Sequence, residues 1–223
     1  QNLWHISHEG GDIEQLENEH NEEVLYMMVT PPERAKDTPT YVDITFEKGW
    51  PVKVDGESLS PATLLQKLNK IAGENGVGVA DIVENRIVGM KSRGIYETPG
   101  GTLLMESLME LETIVFDKDT LNFKKLVSQK YAEIAYNGQW FTPIKYALDA
   151  FVDSIDEVLT GTIKLKLYKG HIKIAGRFTE NALYDEGISS FGSSELYSHK
   201  DAEGFIKLFS LPNTIRAYKK LSK

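Results

Sequence analysis

The sequence predicts an α+β fold, a largely antiparallel sheet with a block of helices packed on it. Strand-like alternation near both ends of the chain and a run of helical stripes between them carry that reading. The composition agrees: 223 residues, 41% hydrophobic and 26% charged, suit an ordinary globular chain with one sizeable core.

Taken in order, residues 8–23 carry Glu9, Asp12, Glu14, Glu17, Glu19, Glu22 and Glu23 with no Lys or Arg, the pattern of a solvated surface segment. Pro31, Pro32 and Pro39 bracket a loop. Tyr41–Phe46 alternates and is rich in strand formers, and Lys48-Gly49 turns it into a hairpin partner at Pro51–Val54. Ser60-Pro61 is a helix start, a capping hydroxyl followed by proline. Leu64, Leu65, Leu68, Ile71 and Ala72 then follow helical spacing, and Gly73 and Gly76 stop them. Asp81–Val88 reads as a strand ended by Gly89, with residues 90–97 irregular or extended.

Pro99 opens a second helix with Leu104, Leu108, Leu111 and Val115 on one stripe. Phe123, Val127, Tyr131 and Ile134 mark a third, ending near Asn137-Gly138. Thr142-Pro143 opens a fourth, from Ile144 to Leu159, with the cleanest amphipathic pattern of all. Ile163, Leu165 and Leu167 alternate with Lys164 and Lys166, and Lys169-Gly170-His171 turns back into Ile172–Ile174, a hairpin with one apolar face. Residues 181–204 are rich in loop formers, Phe205–Phe209 reads as a last short strand broken by Pro212, and 213–223 as a basic helical tail. The expected division is therefore a domain over 1–212 and a tail helix over 213–223. The tail's stripe of Ile215, Tyr218 and Leu221 suits a packed helix or a subunit contact equally well.

Composition also narrows function. Net charge is −8, which argues against a nucleic-acid or anionic-lipid partner. Cysteine is absent, which excludes disulfides, thiolate-held zinc and a cysteine nucleophile. No run approaches the ~18 apolar residues of a membrane helix. The opening Gln1-Asn2-Leu3-Trp4 has no initiator Met and reads as the interior of a longer protein, with leader cleavage as the alternative.

Few motifs carry chemistry outright. His5 and His8, with His20 further on, lack a third ligand at fixed spacing, so no metal site is expected. Neither a nucleophile elbow nor a Walker loop is present. Gly100-Gly101 falls at a helix start, where free N–H groups bind anions, or is simply a turn. The stretch from Glu84 to Thr98 is denser. Glu84 and Arg86 share a strand face, as an ion pair at a sheet margin or as ligand-binding charges. Lys91 and Arg93 stand between Gly89 and Gly94, two cations on a turn that could meet phosphate or carboxylate or could simply be solvated. Tyr96 meets Glu84 only if the chain folds back, because twelve residues of straight strand would part them by ~40 Å.

Several segments match a family in order along the chain: NLWHISHEGG (2–11), FEKGWPVKVDGE (46–57), Asn75-Gly76-Val77-Gly78, DIVENRIVGMKSRGIYETPGGT (81–102), YNGQWFTP (136–143), LYKGHI (167–172) and DAEGFIKL (201–208). Together they resemble the carboxy-terminal, synthetase half of argininosuccinate synthase. The resemblance implies a ligase of arginine biosynthesis and the urea cycle. In that family the ureido oxygen of citrulline attacks the α-phosphorus of ATP, and the amine of aspartate then displaces AMP. It implies ATP with Mg²⁺ held mainly by an amino-terminal ATP-binding domain absent from this chain, so this part alone is expected to be inactive. It further implies a cytoplasmic homotetramer with citrulline, aspartate and ATP as partners. Family citrulline contacts fall here on Ser7, Glu84 and Tyr96; no catalytic residue is carried over. A carboxylate suits the ligand's ammonium, and hydroxyls suit either polar end. The rival reading is a non-catalytic assembly or regulatory module derived from the same domain.

Overall fold

The computed structural model describes residues 2–189 and 198–220. The chain divides into two compact units, Gln1–Asn181 and Ala182–Lys223. The division falls at 181/182, ahead of the 212/213 boundary expected from sequence.

The larger unit runs β1 (Ile6–His8), a 3₁₀ turn (Gly11–Glu14), α1 (Glu22–Leu25), β2 (Thr40–Glu47), β3 (Trp50–Val54) and β4 (Glu57–Ser58). It continues with α2 (Pro61–Glu74), β5 (Val79–Asn85), β6 (Lys91–Glu97), α3 (Pro99–Val115), α4 (Lys118–Tyr136), α5 (Pro143–Asp156), β7 (Gly161–Tyr168) and β8 (His171–Phe178). The expected α+β class holds, but the strands form two antiparallel sheets. One has the order β4-β3-β2-β7-β8 and the other β1-β6-β5.

The larger sheet buries one face. Val42, Ile44 and Phe46 of β2 and Ile163, Leu165 and Leu167 of β7 point inward, while Lys164 and Lys166 alternate outward. Leu64 and Leu68 of α2 and Leu103 and Leu111 of α3 complete this core. Burying one such side chain contributes about 1.5–3 kcal/mol, and this cluster dominates the unit. The hairpins close as the sequence predicts, with two residues of positive φ at Lys48-Gly49 and at Lys169-Gly170. Asp55-Gly56 makes a third such turn, into β4.

The apolar stripe of α5 behaves differently from expectation. None of the residues within the helix is fully buried. It lies against α4 through an edge-on pair of Phe123 and Phe151 and a hydrogen bond from the Tyr131 hydroxyl to Asp149 (2.9 Å). At its far end the stripe does reach the central core: Ile155 packs against it, and Leu159, just past the helix, is fully buried in it.

The smaller unit contains α6 (Glu186–Ser189), α7 (His199–Phe209) and α8 (Leu211–Tyr218). The expected strand at Phe205–Phe209 is helical. Phe205 and Phe209 stack one turn apart (5.2 Å between ring centroids), Glu203 pairs with Lys207 (2.5 Å), and Ser198 caps the first turn. Alternation over five residues could not distinguish these periods. Pro212 does not break the helix; it occupies the first turn of α8, where a missing N–H costs nothing. Part of the expected loop, 190–197, and the last residues of the tail, with Leu221, lie outside the described residues. Among the described residues, no helix is long and apolar enough to cross a membrane.

Candidate functional site

The smaller sheet of the first unit gathers the three residues singled out by sequence. β5 and β6 form a hairpin in which Glu84 opposes Ser92, Ile82 opposes Gly94 and Ala80 opposes Tyr96; β1 adds Ser7 opposite Tyr96. Directly opposed residues of antiparallel strands point to one face. Ser7, Glu84 and Tyr96 therefore share a face. The expected strand 81–88 stops at Asn85 instead, because Gly89 and the bond from Arg86 N–H to the Met90 carbonyl (2.7 Å) close a turn there. Residues 91–97, read from sequence as irregular or extended, are the returning strand.

In the ladder Glu84 and Tyr96 lie four residues apart, about 13 Å along the strand. They meet nonetheless: the Tyr96 hydroxyl donates to Glu84 Oε1. Gly94 makes this possible. It is buried beneath the Tyr96 ring, and a Cβ there would lie 2.9 Å from Cε2 and 3.0 Å from the hydroxyl oxygen. Only a residue without a side chain lets the ring lie along the sheet and reach Glu84. The bond to the Glu84 carboxylate, together with burial, pushes the Tyr96 phenol up to about 12. Tyr96 thus stays a hydrogen-bond donor throughout the neutral range.

The neighbouring residue, Glu97, points to the opposite face and is fully buried. Its carboxylate accepts from the N–H groups of Met27 (2.8 Å), Met28 (2.7 Å) and Val29 (2.8 Å) and lies 2.7 Å from His8 Nε2. This cluster ties β1 to β6 and so holds Ser7 in register with Tyr96. His8, considered from sequence as a metal ligand, is committed here, and His20 meets the Tyr26 hydroxyl (3.0 Å).

Two cavities flank the Glu84–Tyr96 pair. One, of about 760 Å³, runs between the hairpin, Val77-Gly78, Thr98, Thr102 and the β7–β8 turn at Gly170. The other, of about 370 Å³, lies toward Glu9, Arg86 and Ser92. Tyr136, the last residue of α4, lines both. Gly78, at φ +106°, passes so close to Pro99 that a Cβ would lie 2.3 Å from its Cα. That contact brings the start of α3 up to the cavity wall. Ser7 is exposed beside Tyr96 and lines neither cavity; His5 packs its ring 6.1 Å from that of Tyr96.

Three sequence expectations need correction. Arg86 pairs with Glu9 (3.4 Å) rather than Glu84, because β5 ends before it. Arg93 is no free cation. It lies on the opposite face, binds both oxygens of Asp81 (2.9 and 2.6 Å), and gives Nη1 to the carbonyls of Ile13, Gln15 and Asn18. Lys91 shares that opposite face and is exposed. The Gly100 N–H at the start of α3 is already taken by Asn69 Oδ1 (2.8 Å), so it is not an open anion cradle. Sequence reasoning missed Gly94 as the seat of the Tyr96 ring, and Tyr136, whose signal was its place in YNGQWFTP.

The arrangement is an open polar pocket with one carboxylate, hydroxyl groups and apolar walls, suited to a small ligand bearing a cation and neutral polar groups. The family model described as arginosuccinate synthase C-terminal domain matches residues 1–216. Argininosuccinate synthase of Clostridium acetobutylicum is 63% identical over 222 residues, covering 100% of this chain and 55% of its own length. Those of Clostridium botulinum strains Langeland and Okra are each 65% identical over 218 residues, covering 98% of this chain and 55% of theirs. The chain spans about half the length of these curated relatives.

Proposed function

The chain belongs to the family of argininosuccinate synthase carboxy-terminal domains, and from that premise we propose that it supplies citrulline binding and subunit contacts to an ATP-dependent ligase. That enzyme joins citrulline and aspartate into argininosuccinate, releasing AMP and pyrophosphate. The observation that carries the reading is the meeting of Glu84 and Tyr96 over Gly94, with Ser7 in register on the same face.

Citrulline is a zwitterion with a neutral ureido tail. The Glu84 carboxylate has acceptor sites beyond the one used by Tyr96 and suits the ammonium. Tyr96 gives its one proton to Glu84, which leaves its oxygen as an acceptor toward the ligand. Ser7 can donate or accept. The reaction needs positioning above all. The ureido oxygen must stand in line with the α-phosphorus, so that its new P–O bond forms as the bond to pyrophosphate breaks. The aspartate amine then attacks the ureido carbon, and AMP leaves with the electrons of the C–O bond. Fixing the nucleophile in that orientation supplies up to ~7–11 kcal/mol of the barrier.

The nucleotide with its Mg²⁺ belongs, on this reading, to the part of the enzyme outside this chain. Among the described residues, no three or more His, Asp or Glu side chains are grouped so as to hold a metal ion by themselves. The part of this chain lies on the citrulline side. Subunit contact is supported by the exposed Ile144 and Tyr146 of α5 and by the exposed Phe123 and Phe141.

The test is Glu84→Gln in the full-length protein. Losing a charge-assisted bond worth about 1.5–3 kcal/mol raises the citrulline KM about 10- to 150-fold, with the KM for ATP unchanged. An unchanged citrulline KM refutes the assignment. The rival assembly-module reading requires that the full-length protein neither bind citrulline nor turn it over.

A further inference from the structure

The residues common to both cavities around the hairpin are Glu84, Tyr96 and Tyr136. The first two come from the small sheet; Tyr136 comes from the end of α4, a separate element. The chain leaves that helix through Asn137 and Gly138, the latter at φ +68°, so the phenol stands at the helix terminus beside the hairpin.

Its hydroxyl donates to the Asn85 carbonyl at 3.4 Å, the outer limit of a hydrogen bond. Tyr136 remains 59% exposed. Packing therefore does not account for an aromatic at this position. A side chain with an apolar body and a polar tip, held by one weak bond at the mouth of a polar pocket, is suited to exchanging that bond for a ligand atom. Tyr136 is also near enough to Tyr96 to raise that phenol's affinity for its proton.

Resting on the citrulline-binding reading, we infer that Tyr136 is a substrate-positioning residue whose hydroxyl leaves the Asn85 carbonyl and donates to an acceptor oxygen of the bound amino acid. Glu84 takes the cationic end, Tyr96 keeps Glu84 in place, and Tyr136 closes the pocket from the helical side. The acceptor is an oxygen of the α-carboxylate or of the ureido group, the ligand's two oxygen-bearing ends.

The experiment is steady-state kinetics of the full-length protein carrying Tyr136→Phe, run beside Glu84→Gln. Phenylalanine keeps the ring, and the site is half open to water, so folding is unaffected. The citrulline KM rises about 2- to 12-fold for a lost neutral hydrogen bond, while the KM values for ATP and aspartate stay constant. Tyr136→Leu, which also removes the ring, raises the citrulline KM further. A merely structural tyrosine would move all three KM values or none. If Glu84→Gln shifts the citrulline KM and Tyr136→Phe does not, the role of Tyr136 is overturned and the binding reading stands. If both are silent, both fall. If only Tyr136→Phe shifts it, the tyrosine's role stands and Glu84 leaves the site.

Discussion

Replacing Gly94 by alanine tests the packing that brings Glu84 and Tyr96 together. The added methyl would lie 2.9 Å from Cε2, 3.0 Å from the hydroxyl oxygen and 3.1 Å from Cζ of Tyr96. Ordinary contact begins near 3.4 Å, so the ring must rise by roughly 0.5 Å, and more at its tip, since the ring pivots about the Cα–Cβ bond. That movement parts the hydroxyl from Glu84 and forfeits about 1–2 kcal/mol, at the low end for a bond to a charged group because the pair is partly open to water. Alanine in a strand returns about 0.5–1 kcal/mol relative to glycine. The two effects nearly cancel, so global stability is the wrong readout. The phenol is the right one. Tyr96 is pushed up to about 12 by the carboxylate beside it; freed of that bond it moves back toward the ordinary value near 10. The difference in tyrosinate absorbance between each protein and its own Tyr96→Phe partner isolates this group. We expect the Tyr96 midpoint to fall in Gly94→Ala, together with a raised citrulline KM. A Tyr96 midpoint still near 12 in Gly94→Ala would refute the argument that an empty Cα is what seats the ring.

Two further outcomes follow from other parts of the fold. Asp156 is raised to about 6, chiefly by burial and then by the negative charge of Glu112. A carboxyl raised in the fold contributes stability that is complete below pH 3.8 and is lost as pH climbs through 6. Asp156→Asn should therefore stabilise the protein by about 1–2 kcal/mol at pH 7, after discounting for residual contact with water. The advantage should vanish near pH 4, and thermal melts showing the same difference at both values would contradict it. Arg93→Ala removes the side chain that holds three carbonyls of the acidic segment. Hydrogen exchange should speed up across residues 11–19 while the core of β2 and β7 stays protected; uniform protection in both regions would show that the clasp is unnecessary.

The sequence by itself determined the core. Ile163, Leu165 and Leu167 alternate with lysines, and Lys169-Gly170 dictates a tight return, so β7 and β8 were legible from local pattern and turn chemistry alone. The helices at Pro61 and Pro99 were legible for the same reason, since caps and stripes are short-range signals. Even the three residues of the candidate site stood out, through the family's words. What the chain's local chemistry does not encode is proximity. How much of its stripe α5 would bury depended on which part of it reached the core: Ile155 packs there and Ile144 stays exposed. Whether Arg93 was free depended on carbonyls some 75 to 80 residues away in the chain. Whether Tyr96 could touch Glu84 depended on a missing side chain beneath it and a turn five residues long. Tyr136 joined them only because a helix happened to end there. Periodicity records which face of an element is apolar; it does not record which other element comes to meet it, because that choice is made by the closing of long loops, where no single residue carries the signal.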